Sequence, residues 1–224
     1  MNLNITSLLD LSHTLAGDYL AKFDLPWEAL DGIKDLILTL GPTLVAPEGY
    51  KEAAPGVWVH KTAKIAPTAY LGAPCIIGPE TEVRHCAFIR GSALVGAGCV
   101  VGNSVELKNV ILFDGVQTPH YNYVGDSILG YKAHMGAGSI TSNVKSDKTL
   151  VAVRNGGERL ETGRKKFGAI LGDHVEVGCN SVLNPGTIIG RNASVYPLSS
   201  VRSVVLPDHI YKGSGLMVRR DPRD

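Results

Sequence analysis

Two short stretches of the chain gather side chains suited to moving an acyl group. The first is Val105-Glu106-Leu107-Lys108-Asn109, and the second begins Pro119-His120-Tyr121-Asn122-Tyr123-Val124-Gly125-Asp126 and runs on to Asn143. Transfer from a thioester to an amine requires the amine unprotonated and a proton removed as the new bond forms. Imidazole, with an ordinary pKa of about 6.5, does this at neutral pH, so His120 is the candidate base. Glu106 could fix the orientation of that ring and stabilise the imidazolium. Arg90 and Lys108 could supply the field a phosphate dianion needs, the first as a fork and the second as a point charge. Direct attack needs no covalent enzyme intermediate, and backbone N–H groups beside Gly136-Ala137-Gly138 could steady the oxyanion. His60, His85, His174 and His209 read as surface or packed residues, and Asp126 as a corner residue bonded to backbone.

The elements that must position these groups announce themselves through a period of six. From Val59 the aliphatic residues Ile65, Leu71, Ile77, Val83, Ile89, Val95, Val101 and Leu107 follow at that step, which resumes at Leu129 and Met135 and again from Leu171 to Val201. Such a step is neither helix nor ordinary strand and marks a solenoid. A small residue stands two positions before each aliphatic one, as at Ala63, Ala69, Cys75, Thr81 and Ala87, where a narrow prism leaves room for little else. Gly follows it at many corners. Three such sides close a coil of about eighteen residues, and stacked coils pair at a parallel spacing of about 4.8 Å. Val59, Ile77 and Val95 then share a column, as do Ile65, Val83 and Val101.

Two interruptions break the ladder. Leu107 to His120 loosens it, and a polar, basic insertion over residues 143–167 abandons it. Loops that leave a rigid scaffold often carry function. Ahead of the solenoid, residues 1–55 differ in composition. Leu8, Leu11 and Leu15, then Leu30, Ile33, Ile37 and Leu40, predict two amphipathic helices, the second opened by Pro26 and stopped by Gly41-Pro42, with Pro47 to Pro55 as a linker. Their expected role is to cap the first coil, whose edge is otherwise unpaired, or to pack on a second subunit. The solenoid is expected over 56–205 and a frayed tail over 206–224.

With 22 Lys and Arg against 21 Asp and Glu, the net charge of +1 offers nothing to nucleic acid. No apolar run is long enough for a membrane span and no leader pattern opens the chain, so a cytoplasmic protein is expected. The 4 cysteines, Cys75, Cys86, Cys99 and Cys179, form no CxxC and read as reduced, buried thiols.

The two polar stretches resemble a known pattern. VELKN followed by PHYNYVGDSILGYKAHMGAGSITSN is similar to the left-handed β-helix, hexapeptide-repeat acyltransferases. The likeness is greatest to the acetyltransferase domain of the bifunctional N-acetylglucosamine-1-phosphate uridyltransferase/glucosamine-1-phosphate acetyltransferase, over roughly Gly56 to Val201. The resemblance implies a mainly β chain: a single-stranded, left-handed parallel β-helix shaped as a triangular prism, with a short N-terminal α-helical region. It implies His120, Glu106 and Asn143 as the catalytic set, and Arg90, Lys108, Tyr123 and Lys166 as holders of the sugar phosphate. It also implies a homotrimer whose donor, acetyl-CoA, lies between subunits beside Cys179, with Arg164, Lys165 and either Arg202 or Lys212 available for its phosphates.

The chain departs from that pattern at Val144 for tyrosine, His134 for asparagine and Cys179 for serine, and its insertion is longer. The N-terminal segment is too short for a nucleotide-binding α/β domain, so nucleotidyl transfer is not expected from this chain. Acyl transfer to an amino sugar phosphate, glucosamine 1-phosphate-like, is therefore the expected activity. Val144 and Cys179 leave open a non-catalytic protein that binds a sugar phosphate or sugar nucleotide. A trimeric zinc enzyme of the carbonic anhydrase type is a further alternative, but the seven histidines include no near pair, so no metal is expected.

Overall fold

The aliphatic ladder closes into a parallel β-helix. The computed structural model describes residues 1–45 and 49–221. Along one side Val59 pairs with Ile77 and Ile77 with Val95. Along the second Ile65 pairs with Val83 and Val83 with Val101. Along the third Leu71 pairs with Ile89 and Ile89 with Leu107. These are the columns that the period predicts, and from Ile77 to Leu107 they are fully buried. The second side is a 9-stranded sheet, whereas the first and third join in a 14-stranded one.

They join because two coils cut a corner. Glu106–Leu112 and Tyr123–Leu129 each run as one continuous strand from the third side to the first, and Leu112 pairs with both Val95 and Leu129. The inward residue is reached in five steps instead of six, which is why the ladder loosens after Leu107.

The first side is buried on both faces. Trp58, Ile76, Leu94, Ile111, Ile128, Ile170, Ile188 and Val204 point away from the prism and are nonetheless buried. The same register on the second side carries Lys64, Glu82, Gln117, His134 and Glu176, none of them buried. The apolar outer stripe is covered by the N-terminal segment. The two expected helices are instead short pieces, Ile5–Leu8, Gly17–Leu20 and Ile33–Leu40, linked by 3-10 turns at Leu11–His13, Pro26–Gly32 and Gly41–Leu44.

This segment runs along the stack rather than over its first coil. Gly41 lies against the Trp58 ring so closely that a Cβ there would sit 2.2 Å from it. Further along, Asp114 N–H donates to the His13 carbonyl at 3.0 Å, Asp173 N–H donates to the Leu8 carbonyl at 3.1 Å, and Asp10 N–H donates to Asp173 Oδ2 at 2.8 Å. His13 stacks on Tyr131 at 3.7 Å. Burial raises the Asp114 and Asp173 carboxyls above the ordinary range.

The ends are closed by strands. Tyr50–Ala54, expected to be linker, pairs antiparallel with Val57–His60 and satisfies the first coil's edge. Pro47 lies outside the described residues. At the other end His209–Tyr211 adds a further parallel rung beyond the expected boundary at 205, and Met217–Arg219 folds back antiparallel on it. Pro222, expected to fray with Arg219 to Asp221, lies outside the described residues. Among the described residues no helix is long and apolar enough to cross a membrane.

Cys75 and Cys99 are buried, and burial pushes both thiols up to about 12. Cys86 and Cys179 are exposed, contrary to the expectation of four buried thiols, because they lie at outward corners rather than at inward small positions. A thiol reagent at neutral pH therefore labels Cys86 and Cys179 in the native protein, and Cys75 and Cys99 only with denaturant. Replacing Ile111 by Ala lowers the unfolding free energy by about 2 to 5 kcal/mol. Ser194→Ala, at the outer register of the second side, changes it by less than about 0.5 kcal/mol in the same urea titration.

Candidate functional site

The shortened corners create a column of polar side chains. Asn109 and Asp126 take left-handed backbone angles, φ 55° and 48°, which their residue types tolerate better than most. Each follows its predecessor by one coil, so their side chains stack. Asp126 receives Asn109 Nδ2 on Oδ1 at 3.0 Å, Lys108 Nζ on the same oxygen at 2.8 Å, and Asn143 Nδ2 on Oδ2 at 2.5 Å. Its side chain is only 4% exposed. Asp126 is therefore the hub of the cluster, bonding side chains rather than the corner backbone expected of it, because the missing residue turns it across the stack.

Tyr123 joins the cluster over a glycine. Asn143 Nδ2 donates to Tyr123 Oη at 3.2 Å. A Cβ on Gly125 would lie 2.4 Å from that oxygen and 3.0 Å from the amide nitrogen. The phenol is held above its usual pKa, first by burial and then by Asp126 and Glu106. It stays protonated at neutral pH and keeps its own hydrogen to donate. Next to Tyr123, Glu106 Oε1 accepts from Arg90 Nη1 at 2.7 Å, which raises the Arg90 pKa further.

The inserted segment leaves this corner after Asn143 and returns at Phe167, whose N–H donates to the Asn143 carbonyl at 3.0 Å. Its returning end forms one wall of a cleft of about 500 Å³ with Lys165 and Lys166. Lys108, Asn109 and Asp126 form the floor, and Asp31 and Lys34 of the N-terminal segment form the opposite wall. Arg164, expected to face a cofactor, is forked onto Asp31, with Nη1 at 2.8 Å from Oδ2, and is 12% exposed. It ties the insertion to the N-terminal segment.

His120 stands at a different corner. It ends the strand Gln117–His120 on the second side, and its carbonyl accepts from Gly138 N–H at 3.0 Å. Asn122, unnoticed in the sequence, locks this corner from inside: Nδ2 donates to the Gly136 and Ser139 carbonyls at 2.9 and 3.1 Å, and Oδ1 accepts from His120 N–H at 3.2 Å. Cys179 belongs to the same edge, since Asn180 N–H donates to the Ala137 carbonyl at 2.9 Å. Among the described residues the His120 ring makes no hydrogen bond or ion pair, and Glu106 is bonded by Arg90 instead of orienting it.

The polar side chains thus fall into two separate groups. Lys108, Tyr123, Asn143 and Lys166, expected at one site, do converge around Asp126 or its cleft. Arg164 and Lys165 join that cleft rather than the Cys179 edge. His120 and Cys179 stand at the corner where the third side begins, with His120 ahead of Tyr123, and Asp126 at the corner where that side ends. Among the described residues no group of three or more His, Cys, Asp or Glu side chains is placed to hold a metal ion.

Several known proteins are similar to this chain. The GMPPB C-terminal domain family matches residues 74–189. A bifunctional sugar-1-phosphate nucleotidylyltransferase/acetyltransferase of Sulfurisphaera tokodaii is 39% identical over 90 residues, 40% of this chain and 22% of that protein. The bifunctional protein GlmU of Methanococcus aeolicus is 29% identical over 196 residues, 87% of this chain and 47% of its own. The chain spans less than half the length of these curated relatives. Among solved structures, a hexapeptide transferase family protein from Anaplasma phagocytophilum aligns over 74% of this chain and 81% of its own at 17% identity, with a TM-score of 0.42.

Removing the hub should be costly for its size. Asp126→Ala strips three donors of their acceptor and lowers stability by about 1.5 to 3 kcal/mol. Arg90→Ala, which breaks an exposed pair, lowers it by less than about 1 kcal/mol. Denaturant midpoints of the two variants check the ordering.

Proposed function

The chain belongs to the GMPPB C-terminal domain family, and from that premise we propose that it transfers an acyl group from acyl-CoA to a phosphorylated sugar held at the Asp126 corner. Acetyl-CoA is the simplest donor and an amino sugar phosphate, glucosamine 1-phosphate-like, the acceptor. The observation that carries this reading is the convergence of Lys108, Asn109, Tyr123 and Asn143 around Asp126, beside a cleft edged by Lys165 and Lys166. Lysines suit a phosphate as mobile point charges, while a phenol and an amide select sugar hydroxyls by direction. The name of the Sulfurisphaera tokodaii relative, which joins sugar 1-phosphate chemistry to acetyl transfer, supports the pairing of substrates.

A second copy of the chain completes the site in this proposal. Tyr70 and Phe88 are 61% and 43% exposed on the third side, their rings 5.6 Å apart, and Tyr121 is exposed beside His120. Apolar surface of this kind suits burial against another subunit. In a homotrimer the His120 edge of one subunit faces the Asp126 corner of the next. His120 then accepts the proton as the acceptor amine attacks the thioester carbonyl, and returns it to the sulfur as the C–S bond breaks, so that the coenzyme leaves as its thiol. N–H groups of Gly136-Ala137-Gly138 steady the oxygen that becomes negative, and the pantetheine passes Cys179.

One observation favours a second reading, binding without turnover. Arg90, Lys108 and Arg164 are neutralised by Glu106, Asp126 and Asp31 in turn, and among the described residues no hydrogen bond or ion pair orients the His120 ring. A thiol-release assay with acetyl-CoA and a panel of amino sugar phosphates separates the two. Thiol release is expected with an amino sugar phosphate, and His120→Ala lowers it by about two to four orders of magnitude at unchanged melting temperature. Binding of a sugar phosphate or sugar nucleotide with no release from any acceptor establishes the second reading.

A further inference from the structure

The inserted hairpin has a second flank that the Asp126 cleft does not use. Its strands, Val151–Asn155 and Glu158–Arg164, pair antiparallel. It is held firmly: Val151 and Val153 are buried, and the Met1 ammonium donates to Asn155 Oδ1 at 3.0 Å. Gly186, at φ 83°, leaves no room for a Cβ, which would lie 2.8 Å from Val151 Cγ1. Between this hairpin and the coil corner at Asn184-Pro185 lies a cleft of about 350 Å³.

Among the described residues, four cations line that cleft, Lys145, Arg154, Arg159 and Arg202, and no carboxylate does. Lys145 is paired with Asp147 at 3.4 Å, and Arg159 Nε with Glu161 at 3.0 Å, which leaves the terminal nitrogens of Arg159 unengaged by that contact. The guanidinium groups of Arg154 and Arg202 make no hydrogen bond or ion pair among the described residues. They come from opposite walls, Arg154 from the hairpin and Arg202 from the coil. In a chain with a net charge of only +1, such a gathering is not a consequence of overall basicity. Like charges around one concavity repel each other and create a field that a multiply charged anion relieves.

We propose that this cleft binds the diphosphate of a nucleotide. Two forked guanidinium groups lining one cleft can each take two oxygens, more than a single phosphate readily supplies to both. The volume lies at the small end of about 300 to 1,000 Å³ that small-molecule clefts span. Asn184 at the rim has its amide nitrogen engaged by Ser200 Oγ and the Val201 carbonyl, so it presents its oxygen, an acceptor suited to a ribose hydroxyl. The site is separate from the Asp126 cleft and does not rest on acyl transfer. A free nucleoside diphosphate and the diphosphate of coenzyme A offer the same chemistry.

Titration calorimetry of the full chain at low salt tests this with inorganic pyrophosphate, ADP and coenzyme A. Pyrophosphate and ADP are expected to bind, and the Arg154→Ala/Arg202→Ala double variant to bind both at least about tenfold more weakly with an unchanged melting temperature. Lys22→Ala, at an exposed lysine that lines neither cleft, retains wild-type affinity. A coenzyme A affinity well above that of ADP, lost in the same double variant, identifies the coenzyme as the source; equal or weaker binding identifies a free nucleotide. The proposal is overturned if neither pyrophosphate nor ADP binds at millimolar concentration. It is equally overturned if the double variant binds them as wild type does, or if Lys22→Ala removes the binding.

Discussion

Stacking at a single strand spacing is the constraint from which the rest of this structure follows. Because each coil hydrogen-bonds directly to the next, whatever stands at one position of a coil stands against its counterpart above and below. Aliphatic columns inside the prism are one result. The polar column at the shortened corner is the other: once Leu107 to Leu112 and Val124 to Leu129 each drop a residue, Asn109, Asp126 and Asn143 are forced into register and must satisfy one another.

The interior was legible in the sequence because a period of six is a direct image of a triangular cross-section. Val59, Ile77 and Val95 fall in one column as the spacing requires. The outer stripe was not read, although it is written at a fixed place: Ile76, Leu94, Ile111, Ile128, Ile170 and Ile188 precede the inward residue by one on the first side alone. Within the hexad each looks like an ordinary strand residue. Only comparison of the three sides shows that one lacks the Lys, Glu and Gln of the second and must be covered.

The candidate site was legible residue by residue but not in its wiring. Lys108, Tyr123 and Asn143 gather around Asp126, and Lys166 lines the adjoining cleft. By sequence Asp126 reads as bonded to its own backbone, because an acidic residue after glycine usually turns a corner, and the five-residue step that redirects it leaves no local signature. Arg164 was assigned to a ligand because its carboxylate partner, Asp31, lies over a hundred residues earlier in sequence. Charge pairing of this range is set by the N-terminal segment's path, which no period records.

That path carries a consequence for how the chain comes apart. An array in which each unit touches only its neighbours can fray one unit at a time from either end. Here a single strap binds Trp58, Asp114 and Asp173, rungs far apart in the stack, and the amino terminus itself grips the hairpin at Asn155. Peeling one rung would mean lifting the strap from all of them. What looks like a one-dimensional pile is laced into a single cooperative body, in which a wound at either end is felt along the whole length.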